Sequence, residues 1–108
     1  MIRHIVLFNF KPGTAQADED ETLRRYRAMK DVPSIRSIEL CTPVRTQSRH
    51  ALATFKYAYA AVMTFDDVAG FEAYREHPLH VEFDEDWVKR FLDEETVWSC
   101  QFAIEQLG

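Results

Sequence analysis

Tyr74 and the segment His77-Pro78-Leu79-His80 bring a phenol and two imidazoles to one backbone break. Pro78 has no amide hydrogen to donate and biases His77 away from α geometry, so a helix ending near His77 should give way to another starting at Pro78. His80 then falls in a first helical turn. There the positive end of the helix dipole disfavours imidazolium and leaves a neutral ring suited to accepting a proton. A neutral His80 could remove a proton beside a carbonyl while the Tyr74 hydroxyl donates to the developing enolate oxygen, which is cofactor-free proton transfer. His4, Tyr59 and His77 are the candidate ligand contacts around this pair. A plainer role is open to each of them. His77 can cap a helix, Tyr74 and His80 can bond each other to close the junction, and His4 and Tyr59 can be satisfied core polar groups.

The elements that must position these residues follow from two alternating periods. Ile2 to Phe10 place Ile2, His4, Val6, Phe8 and Phe10 on one parity and Ile5 and Leu7 on the other, as in a strand covered on both sides. After Pro12-Gly13-Thr14, the acids Asp18 to Glu21 precede Arg24, Arg25, Arg27 and Lys30, a charge order that complements a helix dipole; Leu23, Tyr26 and Met29 supply its apolar stripe. Val32-Pro33-Ser34 ends that helix, and Ile35 to about Thr42 reads as a second strand. Arg45 to Lys56 has little periodicity and reads as a loop whose basic residues could meet an anionic ligand or solvent. Tyr57 to Phe65 alternates as a central strand. Asp66 is the expected N-cap of a helix striped by Val68, Phe71 and Tyr74. Beyond Pro78, the residues Phe83, Trp87, Val88, Phe91 and Leu92 mark a further amphipathic helix, and Thr96 to Ile104 is the last strand.

This β-α-β-β-α-β order defines an α+β, ferredoxin-like split βαβ fold, with a four-stranded antiparallel sheet covered by helices on one face. The other face is also apolar. Ile5, Leu7, Val62 and Val97 are of the parities opposite to His4, Tyr59 and Trp98, and one chain has nothing left to cover them. Burial is worth roughly 25 cal/mol per Å² of apolar surface, so a homodimer with two sheets packed face to face is the economical arrangement.

Composition narrows the function classes. A chain of 108 residues with 46% hydrophobic residues reads as a single domain over residues 1–108. A net charge of -5 argues against nucleic acid as a partner, because phosphate binding needs concentrated positive charge. Cys41 and Cys100 are far apart with no CxxC spacing, so neither a zinc knuckle nor a redox pair is indicated; both are expected as free thiols buried in strands. No metal is expected at His77 and His80, whose spacing is interrupted by Pro78. No phosphate-binding glycine loop or GxSxG sequence is present, and no cofactor is expected. With no signal-like or membrane-spanning apolar run, the reading is a cytoplasmic protein with no membrane partner.

The chain resembles the stress-responsive dimeric α/β barrel family. The resemblance rests on Ile2-Arg3-His4-Ile5-Val6-Leu7-Phe8-Asn9-Phe10-Lys11, on Val62-Met63-Thr64-Phe65, and on Ala73-Tyr74 followed by His77-Pro78-Leu79-His80. It implies a ferredoxin-like protomer paired into a barrel, with a cleft between each sheet and its own helices. The family includes plant stress proteins and a polyketide cyclase. The cyclase's cleft tyrosine and histidine match Tyr74 and His80, and the histidine of its first strand matches His4. A further histidine, in its central strand, is replaced here by Tyr59. The reading that follows is a small dimeric α/β barrel protein of unknown specific activity that binds a small hydrophobic or aromatic molecule, polyketide-like ones included, in the cleft between sheet and helices; the alternative is a cofactor-independent cyclase, lyase or isomerase using Tyr74 and His80 for proton transfer.

Overall fold

The computed structural model describes residues 1–44 and 56–108. The strands β1 (Ile2–Phe8), β2 (Ser37–Cys41), β3 (Tyr59–Phe65) and β4 (Trp98–Ala103) form one antiparallel sheet in the order β2-β3-β1-β4. Helix α1 (Gln16–Arg27) and a 3₁₀ turn (Ala28–Asp31) connect β1 to β2. Between β3 and β4 run α2 (Val68–Glu76), α3 (Pro78–Phe83), a π turn (Asp84–Val88) and α4 (Lys89–Phe91). This is the α+β ferredoxin-like fold. Most of the loop expected from Arg45 to Lys56 lies outside the described residues.

The core sits between the sheet and the helices. Phe8, Ala61, Met63 and Phe65 project from the sheet and meet Leu23, Tyr26 and Met29 from the α1 stripe, Tyr74 from α2 and Leu92 after α4. The three-residue spacing of Leu23, Tyr26 and Met29 keeps them on one face, and the 3₁₀ turn carries that face through Met29. The Tyr26 hydroxyl donates to the Glu39 carbonyl at 2.9 Å, which satisfies the polar tip of an otherwise buried ring.

The chain breaks at Pro78 as its covalent structure requires. α2 stops at Glu76, His77 is extended with φ -65° and ψ 137°, and Pro78 opens α3.

Four local expectations are corrected. Asp67, not Asp66, caps α2: its extended backbone lets the carboxylate accept the Gly70 amide at 2.8 Å, while Asp66 pairs with Arg36. β1 ends at Phe8 because the Asn9 side chain takes over the next pairing, accepting the Ala58 amide at 2.8 Å and donating to the Lys56 carbonyl at 3.0 Å. Trp98 is on the outer face of the sheet, not the helical one, because the register pairs it with Leu7; Val97 turns toward the helices instead. Finally, the cysteines are not core thiols. Cys41 is exposed and Cys100 half-buried, both on the outer face, where their partners are Ala60 and Ile5.

The register gives the outer face its composition. Its transverse rows are Cys41, Ala60, Leu7 and Trp98, then Glu39, Val62, Ile5 and Cys100, then Ser37, Thr64, Arg3 and Phe102. Trp98 and Phe102 stack at 6.1 Å along the β4 edge and are 42% and 43% exposed, an apolar ridge that no element of the described chain covers.

Candidate functional site

A cavity of about 490 Å³ lies between the helical face of the sheet and the helices. Val6, Phe8 and Met63 line it from the sheet, and Leu23, Phe71, Phe83 and Val88 from the helical side. Into this apolar space the fold brings His4, Tyr74 and His80 together. The Tyr74 and His80 ring centroids are 4.5 Å apart, and those of His4 and Tyr74 are 6.1 Å apart.

Hydrogen bonding assigns opposite roles to the two imidazoles. His80 Nδ1 is 2.9 Å from the Arg75 carbonyl. A carbonyl only accepts, so Nδ1 carries the proton, and in the neutral ring Nε2 holds a lone pair. His4 Nδ1 is 2.9 Å from the Gln101 side-chain nitrogen. An amide NH₂ only donates, so His4 Nδ1 accepts and its Nε2 carries the hydrogen. Among the described residues the pocket therefore holds one imidazole, neutral His80, with Nε2 as an acceptor, and another, His4, with Nε2 as a donor.

Burial, with repulsion from His80, holds the His4 pKa down at about 4. Burial, with the nearby Asp84 carboxylate, raises the Tyr74 phenol well above its ordinary value, so it remains a neutral donor at physiological pH.

The depressed His4 pKa carries a stability consequence. Between its ordinary value of 6.5 and about 4 the unfolded chain binds a proton that the folded chain refuses. The contribution is thus fully present above pH 6.5 and is lost as pH falls to about 4, amounting to about 3 kcal/mol across that window. Denaturant unfolding of wild type and His4→Gln across this range should show the stability difference between them shrinking toward acid pH. A difference that stays constant would contradict a buried, neutral His4.

Two of the candidate ligand contacts lie elsewhere. The His77 ring accepts the Leu79 amide at 3.1 Å and caps α3, outside the cavity lining. Tyr59 sits at the far end of the sheet from His4, stacked on Phe8 at 5.2 Å and edge-on to Phe10 at 5.8 Å. It is therefore part of an aromatic cluster rather than of the cavity wall. Conversely, Glu72, Arg75 and Gln101 line the cavity without having been singled out from the sequence, and so does Asp84, which sequence reasoning considers only as an acid near His77 and His80. Asp84 follows His80 by four residues, a helical spacing that puts both on one face. Gln101 reaches His4 only through the β1–β4 register, for which no local pattern exists. Among the described residues no group of three or more His, Cys, Asp or Glu is arranged to hold a metal ion.

The sequence profile of the stress responsive A/B barrel domain matches residues 2–100, and the chain belongs to that family. Solved structures share its fold. A hydroxynitrile lyase from Passiflora edulis is similar with a TM-score of 0.80 at 19% identity, over 99% of this chain and 95% of that one. A ferredoxin-like protein of the same family from Mesorhizobium loti aligns at a TM-score of 0.76 and 21% identity, over 97% of both chains. A dimeric ferredoxin-like protein of unknown function from Thermobifida fusca aligns at 0.75 and 23%, over 95% and 90% respectively. No curated protein sequence matches the chain. Among the described residues no helix is long and apolar enough to cross a membrane.

Proposed function

We propose that this protein is a homodimeric α/β barrel that binds a small, largely apolar or aromatic molecule in the cavity between its sheet and helices. The observation that carries this reading is the cavity itself. Its volume of about 490 Å³ is in the range of ligand sites, its walls are mostly apolar, and a donor, an acceptor and a phenol converge inside it. The uncovered apolar sheet face, together with the dimeric state of the Thermobifida fusca neighbour, supports pairing through the sheets. The two free cysteines fit a reducing, cytoplasmic setting.

A second reading, cofactor-independent lyase, cyclase or isomerase chemistry, is favoured by one specific feature: the His80 tautomer leaves Nε2 as a proton acceptor on a ring packed against that of neutral Tyr74. The hydroxynitrile lyase among the structural neighbours makes cyanohydrin cleavage a natural first assay. There, Nε2 takes the hydroxyl proton, the O–H electrons form the carbonyl as the carbon–cyanide bond breaks with its pair going to cyanide, and Nε2 returns the proton to cyanide, so that aldehyde and hydrogen cyanide leave with His80 neutral again.

The two readings are tested together by titrating the protein with aryl aldehydes, ketones and phenols under thermal-shift detection, and by following mandelonitrile cleavage to benzaldehyde. Stabilisation without turnover is the expected signature of a binding protein, and turnover that of a lyase. Neither effect at millimolar concentrations of the whole panel would reject both.

A further inference from the structure

The cavity's charged groups are unequally compensated. Among the described residues, the charged side chains that line it are Glu72, Arg75 and Asp84. Arg75 is already engaged: its guanidinium pairs with Glu72 at 3.1 Å, one helical turn away, and its carbonyl receives His80. That pair is locally neutral. Asp84 is different. The cation that pairs with it among the described residues, Lys89 Nζ, stands 3.9 Å from the carboxylate but only 2.6 Å from Glu85. The Asp84 side chain is 40% exposed, so most of it is covered, and it begins the π turn one helical turn beyond His80. Its field reaches Tyr74. His4, with its pKa near 4, brings no compensating positive charge at neutral pH.

Building on the ligand-binding reading above, we propose that Asp84 makes this cavity selective for uncharged or cationic ligands that turn an N–H or O–H toward its carboxylate, and closes it to carboxylates. A ligand carboxylate entering here meets Asp84 and would have to take Arg75 from Glu72 to be paired. Otherwise it is desolvated against a like charge. An amine or hydroxyl gains a charge-assisted hydrogen bond at the same place. Asp84 is thus a specificity residue beside the acid-base pair.

Three matched probes test this by NMR titration of the full chain: benzylamine, benzyl alcohol and benzoate. Wild type should bind benzylamine at least about tenfold more tightly than benzoate. In Asp84→Asn that preference should fall by about tenfold, with benzyl alcohol affinity changed by less than about threefold. Lys89→Ala, which leaves the cavity lining intact and removes the cation paired with Asp84 among the described residues, should move the preference the other way. If wild type binds the probes and neither substitution changes their order, the role of Asp84 is overturned while the binding cavity stands. If none of the three binds wild type at millimolar concentration, this inference is overturned, while the aldehyde, ketone and phenol panel above decides the cavity reading.

Discussion

Leu7→Asp is expected to abolish the proposed dimer. Leu7 lies in the outer row with Ala60 and Trp98, beside the Val62 and Ile5 row, so it is central to the apolar face. When two such faces close on each other, a carboxylate there is desolvated, and the cation on the same face of β1, Arg3, is two ladder positions beyond Ile5. An unpaired buried charge costs several kcal/mol, and the symmetric interface incurs that cost twice. Sedimentation over a dilution series should give wild type near twice 12.7 kDa and the variant as monomer or as unfolded chain. Val68→Asp is the control, because Val68 is 62% exposed at the start of α2 and an acid there suits the helix N-terminus. The cysteines provide a second readout. Cys41 and Cys100 both lie on the outer face, so a thiol reagent should be slow with wild type and fast with Leu7→Asp. A wild-type protein that is a stable monomer at micromolar concentration would reject the paired-sheet arrangement.

The sequence made some of these features legible and hid others for physical reasons. The Pro78 break was readable because proline acts through its own covalent structure and on its immediate neighbour. The α1 stripe and the strands were readable because burial imposes periods of 3.6 and 2. The face of Trp98 was not. Alternation says that Trp98 and Val97 point to opposite sides, but only pairing with Leu7 says which side is which. The site divides along the same line. Tyr74 and His80 flank one junction and are positioned by it, so their meeting was foreseeable. The Gln101 bond that sets the His4 tautomer spans 97 residues of chain and exists only through the sheet register. Asp66 and Asp67 show the limit of local chemistry: either aspartate could cap α2, and the end of β3 at Phe65 together with the Arg36 pairing decided between them. The π turn at Asp84–Val88 left no recognisable trace, since the apolar spacing through Phe83, Trp87, Val88 and Phe91 is equally that of a plain helix.

His80 bonds across the helix junction through Nδ1 and, as a neutral ring, presents the Nε2 lone pair that the lyase reading needs, and substitution can separate the two. His80→Ala removes the Nδ1 bond to Arg75 across the Pro78 break, the ring contact with Tyr74 and the Nε2 lone pair at once, so a loss in that variant alone is ambiguous. His80→Asn is the sharper test. Its amide nitrogen occupies the place of Nδ1 and can still donate to the Arg75 carbonyl, but nothing replaces Nε2. If His80 is the base of a proton-transfer reaction, Asn should keep the melting temperature close to wild type while turnover falls by about 10²–10⁴-fold, the usual worth of a positioned general base. Tyr74→Phe, which keeps the buried ring and deletes the donor, should lower turnover by about 10²–10³-fold if the hydroxyl stabilises a developing oxyanion. In a protein that only binds, both changes should cost about 0.5–1.5 kcal/mol of ligand affinity, one hydrogen bond each. Full function in Tyr74→Phe and His80→Asn, with loss confined to an unstable His80→Ala, would leave His80 as a brace for the Pro78 junction. The chemistry of the cavity would then have to be sought at His4 and Asp84.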